Sequence, residues 1–168
     1  MDVYILRHGK AEEHSVSVRG DAKRNLTEAG RKEMQCIAKA IKRLDVRLDC
    51  IMSSPLLRAR QTAEIALVYV KSKRKTVAIW SELKPESDVS SIMKKLSALK
   101  PASSVLLVGH EPVLSNLIGS LISQDGCDVS VILRKGGFAH VECTSKGRTV
   151  SGSLRSILTP KHLKKLCK

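Results

Sequence analysis

Two short polar clusters follow directly on apolar runs. Arg7-His8-Gly9 ends Val3-Tyr4-Ile5-Leu6, and Gly109-His110-Glu111 ends Ser104 to Val108. A third segment, Ser53 to Arg58, opens a helical pattern after another apolar run. In open α/β sheets the carboxyl ends of the strands form the ligand crevice, so three segments distant in sequence can meet at one edge. Together they bring two imidazoles, two guanidiniums and a helix N-terminus to a place where an anion would bind. Arg7 and Arg58 offer planar forks of donors that match phosphate oxygens and stay charged. A helix N-terminus adds N–H groups and a favourable dipole. An imidazole can attack phosphorus and carry the group covalently until water removes it. Phosphoryl transfer rests on positioning and charge neutralisation, so two arginines around a nucleophile suffice in principle without a metal or other cofactor.

The elements that must position these groups are legible from periodicity. Val3 to Leu6 reads as a buried strand, and a polar loop runs from Lys10 to Asn25. Thr27 precedes a helix with Met34, Ile37, Ala38, Ile41 and Leu44 on one face. Leu48 to Met52 is a second strand, after which a serine of Ser53-Ser54-Pro55 is expected to cap a helix and Pro55 to fill its first turn. That helix carries Leu56, Leu57, Ala59, Thr62, Ala63, Ile65, Ala66 and Tyr69. Thr76 to Ile79 is a strand, Glu82 and Pro85 lie in a polar loop, and Val89 to Leu99 is a helix stopped by Lys100-Pro101. Ser104 to Val108 is a continuous apolar strand, and Val113 to Ile122 an apolar helix. Further strands are expected at Val131 to Leu133, Phe138 to Cys143 and Thr149 to Leu158. The last basic stretch reads as a helical turn or a frayed tail. Alternating strands and helices predict a three-layer α/β sandwich, with a mainly parallel mixed sheet and helices on both faces, as one domain over 1–168.

Composition bounds the function. With 42% hydrophobic residues in 168, the chain can build a core, but aromatics are only 2%, so Leu, Ile, Val, Ala and Met must fill it. So few aromatics also leave little for base stacking, which argues against single-strand nucleic-acid binding. Thirty Lys+Arg against 16 Asp+Glu give +14, a field that raises encounter rates with anions. Much of it lies in two runs, Lys71, Lys73, Arg74 and Lys75, then Lys161, Lys164, Lys165 and Lys168, which read first as solvated faces. Cys36, Cys50, Cys127, Cys143 and Cys167 are odd in number and widely spread, as expected of reduced thiols in a cytoplasmic protein. The chain shows neither a signal-peptide pattern nor an apolar run of membrane-spanning length, so a soluble protein off the membrane is expected.

Leu6-Arg7-His8-Gly9, Leu26-Thr27-Glu28-Ala29-Gly30, Ser53-Ser54-Pro55-Leu56-Leu57-Arg58-Ala59-Arg60-Gln61-Thr62-Ala63 and Val108-Gly109-His110-Glu111-Pro112 occur in the order shown by the histidine phosphatase (phosphoglycerate mutase-like) superfamily, which the chain resembles. Its short length and Glu82-Leu83-Lys84-Pro85 resemble the compact SixA-type phosphohistidine phosphatases. The resemblance implies His8 as nucleophile, Arg7 and Arg58 as phosphoryl ligands, His110 as a further donor to the same group, and Arg24 as an added substrate contact. Larger members use an acid in the segment where Glu82 falls. Glu82 is therefore a catalytic acid, a structural loop residue or a spectator, because phosphohistidine needs little acid help once its leaving imidazole is protonated. Arg60 and Lys10 read as surface residues and Glu111 as structural; His14, His140 and His162 have no accompanying motif. The expected partner is a phosphohistidine-bearing phosphorelay or phosphotransferase protein. A small phosphomonoester on the same site is the alternative, and a basic nucleic-acid-binding module with a vestigial site is a disfavoured third reading.

Overall fold

The computed structural model describes residues 1–13, 20–123, 127, 129–147 and 149–167; His14 and Lys168 lie outside them. The strands are β1 (Asp2–Arg7), β2 (Arg47–Leu48), β3 (Cys50–Ser53), β4 (Lys71–Ser72), β5 (Val77–Ile79), β6 (Ser104–Gly109), β7 (Phe138–Lys146) and β8 (Thr149–Leu158). The α-helices are α1 (Glu28–Arg43), α2 (Leu57–Tyr69), α3 (Val89–Ser97), α4 (Val113–Ile122) and α5 (Pro160–Cys167). Six strands form one sheet in the order β5-β3-β6-β1-β7-β8. The ladders from β5 to β1 are parallel, whereas β7 runs antiparallel to both β1 and β8. This is the expected mixed α/β sheet.

Each central strand feeds both faces, because successive side chains alternate. Val3 and Ile5 of β1 and Val105 and Leu107 of β6 pack with Ile92 and Leu96 of α3 and with Leu114, Leu117, Ile118 and Leu121 of α4. Leu6, Leu106, Val108 and Phe138 face the other way, onto Met34, Ile37 and Ile41 of α1, Ala59, Ala63 and Ala66 of α2, and Leu163 of α5. Covering on both sides explains why β6 is an unbroken apolar run rather than an alternating one.

Local chemistry revises several sequence expectations. The run Leu48 to Met52 divides at Asp49: β2 pairs with β4 outside the main sheet, while β3 joins it. Asp49 accepts from the Ser104 N–H at 2.8 Å and pairs with Lys73 at 2.6 Å, so its side chain redirects the chain between the two ladders. Leu44 is the C-cap of α1 and is 42% exposed, not core. The N-cap of α2 is Leu56, so neither serine caps it and Pro55 precedes the first turn. Ser54 Oγ instead accepts from the Leu56 N–H at 3.3 Å and meets His110. Val131 to Leu133 forms no strand; the Leu133 carbonyl is taken at 2.8 Å by the Arg7 guanidinium instead of by a ladder. The basic tail is helical because buried Leu163 anchors it and Lys164 reaches Glu33 of α1 at 2.8 Å.

Candidate active site

Neighbouring strands β1 and β6 run parallel with Arg7 opposite Gly109, so the residues just beyond them emerge side by side. The His8 N–H donates to the Gly109 carbonyl at 3.1 Å, which locks the two strand ends together. The rings of His8 and His110 lie 4.8 Å apart between centroids, tilted by 52°. Both histidines are buried, at 6% and 2% exposure. His8 Nδ1 is 2.7 Å from the Gly9 carbonyl oxygen. A carbonyl only accepts, so Nδ1 carries the proton and Nε2 keeps its lone pair. Burial lowers the pKa of His8 to about 4, with Arg58, Arg7 and Lys135 adding to the shift and the Gly9 bond opposing it. His8 is thus a neutral imidazole of defined tautomer at ordinary pH, the form a nucleophile needs.

The loop after His8 is clamped by α2 and by the N-terminus of α1. The Gly9 N–H donates to Thr62 Oγ1 at 3.2 Å, and that hydroxyl donates to the Arg58 carbonyl at 2.8 Å. The Lys10 carbonyl accepts from the Thr27 N–H at 3.0 Å, while Thr27 Oγ1 accepts from the Gly30 N–H at 3.0 Å as the N-cap of α1. A Cβ on Gly30 would stand 2.1 Å from the Lys10 carbonyl oxygen, so only glycine lets the first turn of α1 approach this loop. One Cβ on Gly9 would meet Met34 Cγ at 2.6 Å.

Helix α2 presents Arg58, Gln61 and Thr62 at i, i+3 and i+4, hence on one face. Gln61 accepts from the Leu26 N–H and donates to Asn25 Oδ1, each at 2.8 Å. Buried Arg58 donates to the Asp21 carbonyl at 2.9 Å and to its carboxylate at 3.1 Å. Arg24 reaches the other oxygen of that carboxylate at 2.8 Å and the Glu12 carbonyl at 2.7 Å. Partial burial alone would raise the Asp21 pKa, but Arg24 and Arg58 outweigh it and hold the carboxyl ionised. Sequence reading missed Asp21, Gln61, Thr62 and Ser54. The spacing of Arg58, Gln61 and Thr62 on one helical face was the available signal for two of them.

His110 Nε2 is 2.9 Å from Ser54 Oγ. Burial, then the neighbouring His8 and Arg58, push its pKa far below the usual imidazole value. Its Nδ1 and Arg7 Nε are buried without a hydrogen-bond partner among the described residues, a polar capacity that oxygens of a bound anion can meet. Glu82 behaves differently. Its carboxylate pairs with Lys95 at 2.8 Å and receives Ser81 Oγ at 3.3 Å, and hydrogen bonding to Lys95 lowers its pKa. Its neighbour Leu83 does back the site: the carbonyl lies 3.0 Å from where a Cβ of Gly109 would be. The structure therefore brings together Arg7, His8, Arg58 and His110, joins Arg24 to them through Asp21, and gives Glu82 a lysine partner. Arg60 pairs with Glu64 at 3.8 Å, Lys10 is exposed, and His140 binds Asp2 at 2.7 Å against Tyr4.

Residues 3–85 match the model of the histidine phosphatase superfamily (branch 1). The phosphohistidine phosphatase SixA of Escherichia coli (strain K12) is 32% identical over 123 residues, 72% of this chain and 74% of that protein. The chain belongs to the histidine phosphatase superfamily. Within it, the structure of the protein histidine phosphatase SixA complexed with tungstate superposes with a TM-score of 0.85, covering 98% of this chain and all of the other at 28% identity. This superfamily member therefore shares the SixA-like fold along nearly its whole length, including the His110 segment beyond the matched residues 3–85. Among the described residues no helix is long and apolar enough to cross a membrane.

Proposed function

We propose that the chain, acting as one domain over residues 1–168, removes the phosphoryl group from phosphohistidine in a partner protein, with His8 as the covalent carrier and no metal. The observation that carries this reading is the 2.7 Å contact between His8 Nδ1 and the Gly9 carbonyl. Nε2 attacks phosphorus, the P–N bond of the substrate breaks, and the substrate imidazole departs neutral with the proton on its other nitrogen. His8 is then N-phosphorylated on Nε2 and still protonated on Nδ1, an imidazolium whose N–H points at a carbonyl. Water attacks the same phosphorus, the Nε2–P bond breaks, and the His8 ring leaves neutral because Nδ1 kept its proton. Arg7, Arg58 and His110 hold the phosphoryl oxygens, and Arg24 adds an outer contact through the Asp21 network.

Glu82 supports phosphohistidine over an ester. An ester needs a proton for its alkoxide, whereas a protonated phosphoimidazole brings its own. Hydrogen-bonded to Lys95 and with a lowered pKa, Glu82 is ionised near neutral pH and has no proton to give. The chain resembles the phosphohistidine phosphatase SixA of Escherichia coli and the protein histidine phosphatase SixA solved with tungstate, which agrees with this choice.

The test is phosphate release from a phosphohistidine-bearing protein beside a generic phosphomonoester. Wild type is expected to release phosphate rapidly from the former, His8→Ala to release none and to form no acid-labile phosphoenzyme, and Glu82→Gln to stay within about twofold of wild type. A preference for the phosphomonoester would move the substrate to small metabolites. Turnover by His8→Ala would sink the mechanism.

A further inference from the structure

A basic pocket of about 710 Å³ opens next to Arg7, lined by Arg7 itself with Arg134, Lys135, Lys161, His162 and Lys164. Among the described residues no carboxylate lines it, and Arg134, Lys135 and Lys161 form no ion pair there; Glu33 engages Lys164 at 2.8 Å. The pocket is physically joined to the nucleophile. The Gly136 N–H donates to the carbonyls of Arg7 and His8 at 3.1 and 3.2 Å, and Arg7 donates to the Leu133 carbonyl. The loop carrying Arg134 and Lys135 is thereby strapped across the end of β1. Helix α5, which brings Lys161 and Lys164, forms the opposite wall.

Such walls do not suit a compact metabolite. Small-molecule sites are concave and mostly apolar, with a few fixed polar groups. Here the side chains of Arg134, Lys135, Lys161 and Lys164 are exposed, and four long cations can follow an acidic surface of varied shape. Ile132, two residues before Arg134 on the same loop, is 81% exposed and supplies an apolar anchor of the kind protein interfaces bury. Among the described residues lining the pocket, a nucleic acid would find no aromatic ring to stack on apart from His162.

We propose that this pocket docks an acidic segment of the phosphorylated protein that lies beside its phosphohistidine. The inference rests on the protein-phosphohistidine reading above and adds to it a recognition surface that begins at Arg7 and extends away from the catalytic cluster through Arg134, Lys135, Lys161 and Lys164. It assigns part of the +14 charge to partner choice rather than to solubility.

The experiment compares wild type with Arg134→Glu/Lys161→Glu on two substrates, a phosphohistidine-bearing protein and phosphoramidate, a P–N compound too small to extend beyond Arg7 to the basic side chains of the loop and of α5. For the protein, kcat/KM is expected to fall about tenfold or more, mainly through KM, since charges at a rim govern encounter and reversal adds repulsion. Phosphoramidate turnover is expected to stay within about twofold. An Asp/Glu-rich peptide should inhibit the protein reaction of wild type and not that of the double variant. Equal effects on both substrates, or none on either, would overturn the docking role. Inhibition by a duplex oligonucleotide as strong as by the acidic peptide would overturn it too, by showing charge without a preferred partner. Turnover of phosphoramidate but not of the phosphoprotein by wild type is the separate result that removes the substrate reading itself. Should the reversal impair folding, Arg134→Gln/Lys161→Gln provides the same comparison with a smaller expected loss.

Discussion

His8 and His110 stand at the ends of two paired parallel strands, are both buried and are both held neutral, yet their partners differ in kind. His8 Nδ1 faces a carbonyl, which can only accept, so its tautomer is settled by the backbone. His110 Nε2 faces the Ser54 hydroxyl, which can donate or accept, so its ring can change protonation without losing the bond. The first arrangement suits a group that must present one lone pair on every turnover. The second suits a group that takes up a proton when a phosphoryl dianion arrives and adds positive charge beside it. Two residues of one type thus differ in the atom opposite a single ring nitrogen, and in the proposed mechanism that difference separates their roles.

The sharpest way to break this contrast is to remove each ring in turn. His8→Ala is expected to lose all covalent chemistry. His110→Ala is expected to lose about 10²–10³ in kcat, the range seen when one transition-state donor is removed, while still accumulating phosphoenzyme on His8 in a rapid quench. A His110 variant with no detectable phosphoenzyme, although folded, would mean that the two rings share the nucleophilic role. Ser54→Ala tests the second half of the comparison with a smaller effect. Losing a buried neutral hydrogen bond costs about 1 kcal/mol, so kcat is expected to drop roughly five- to tenfold, with phosphoenzyme formation intact. A Ser54→Ala protein as active as wild type would show that the hydroxyl does not hold the His110 ring.

The same contrast separates what was legible in the sequence from what was not. The strand ends carrying Arg7-His8 and Gly109-His110 were legible because an apolar run buried on both faces has a sharp boundary where polarity begins. Helix α4 was legible to the residue, since its apolar span is closed at both ends by polar or turn-forming residues. The partners of the site were not. A serine of Ser53-Ser54-Pro55 read as a helix cap, because a serine before a proline and an apolar helix is a common cap; the His110 ring meets the Ser54 hydroxyl only in three dimensions. Asp21 sat in a polar loop with no periodicity, and its link to Arg58 spans 37 positions that no local pattern connects. Val131 to Leu133 has the composition of a strand but is drawn off by the Arg7 side chain, a contact across 126 positions. Backbone periodicity reports which elements exist, and long-range side-chain bonds decide what their ends do.

The smallest effect concerns stability and follows from the neutral state that the two histidines share. An unfolded histidine titrates near 6.5, whereas His8 in the fold titrates at about 4. Between those values the unfolded chain binds more protons than the folded one, so stability falls as pH falls through this window, by up to ~1.4 kcal/mol per pH unit for each such group. Below about 4 the His8 contribution levels off, while His110, shifted further, continues. The depressed carboxyls Asp21, Asp45, Asp49, Asp88 and Glu82 also lose stabilisation in acid, but their transitions begin near the ordinary carboxyl range and run below it. The interval from about pH 6.5 to 4.5 therefore belongs mainly to the buried imidazoles. Urea unfolding of wild type, His8→Asn and His110→Asn across that interval should show the steepest pH slope for wild type and a shallower one for each variant. Identical slopes in all three would mean that neither ring is kept neutral by the fold, and the distinction between a ring fixed by a carbonyl and one free to follow a hydroxyl would lose its electrostatic basis.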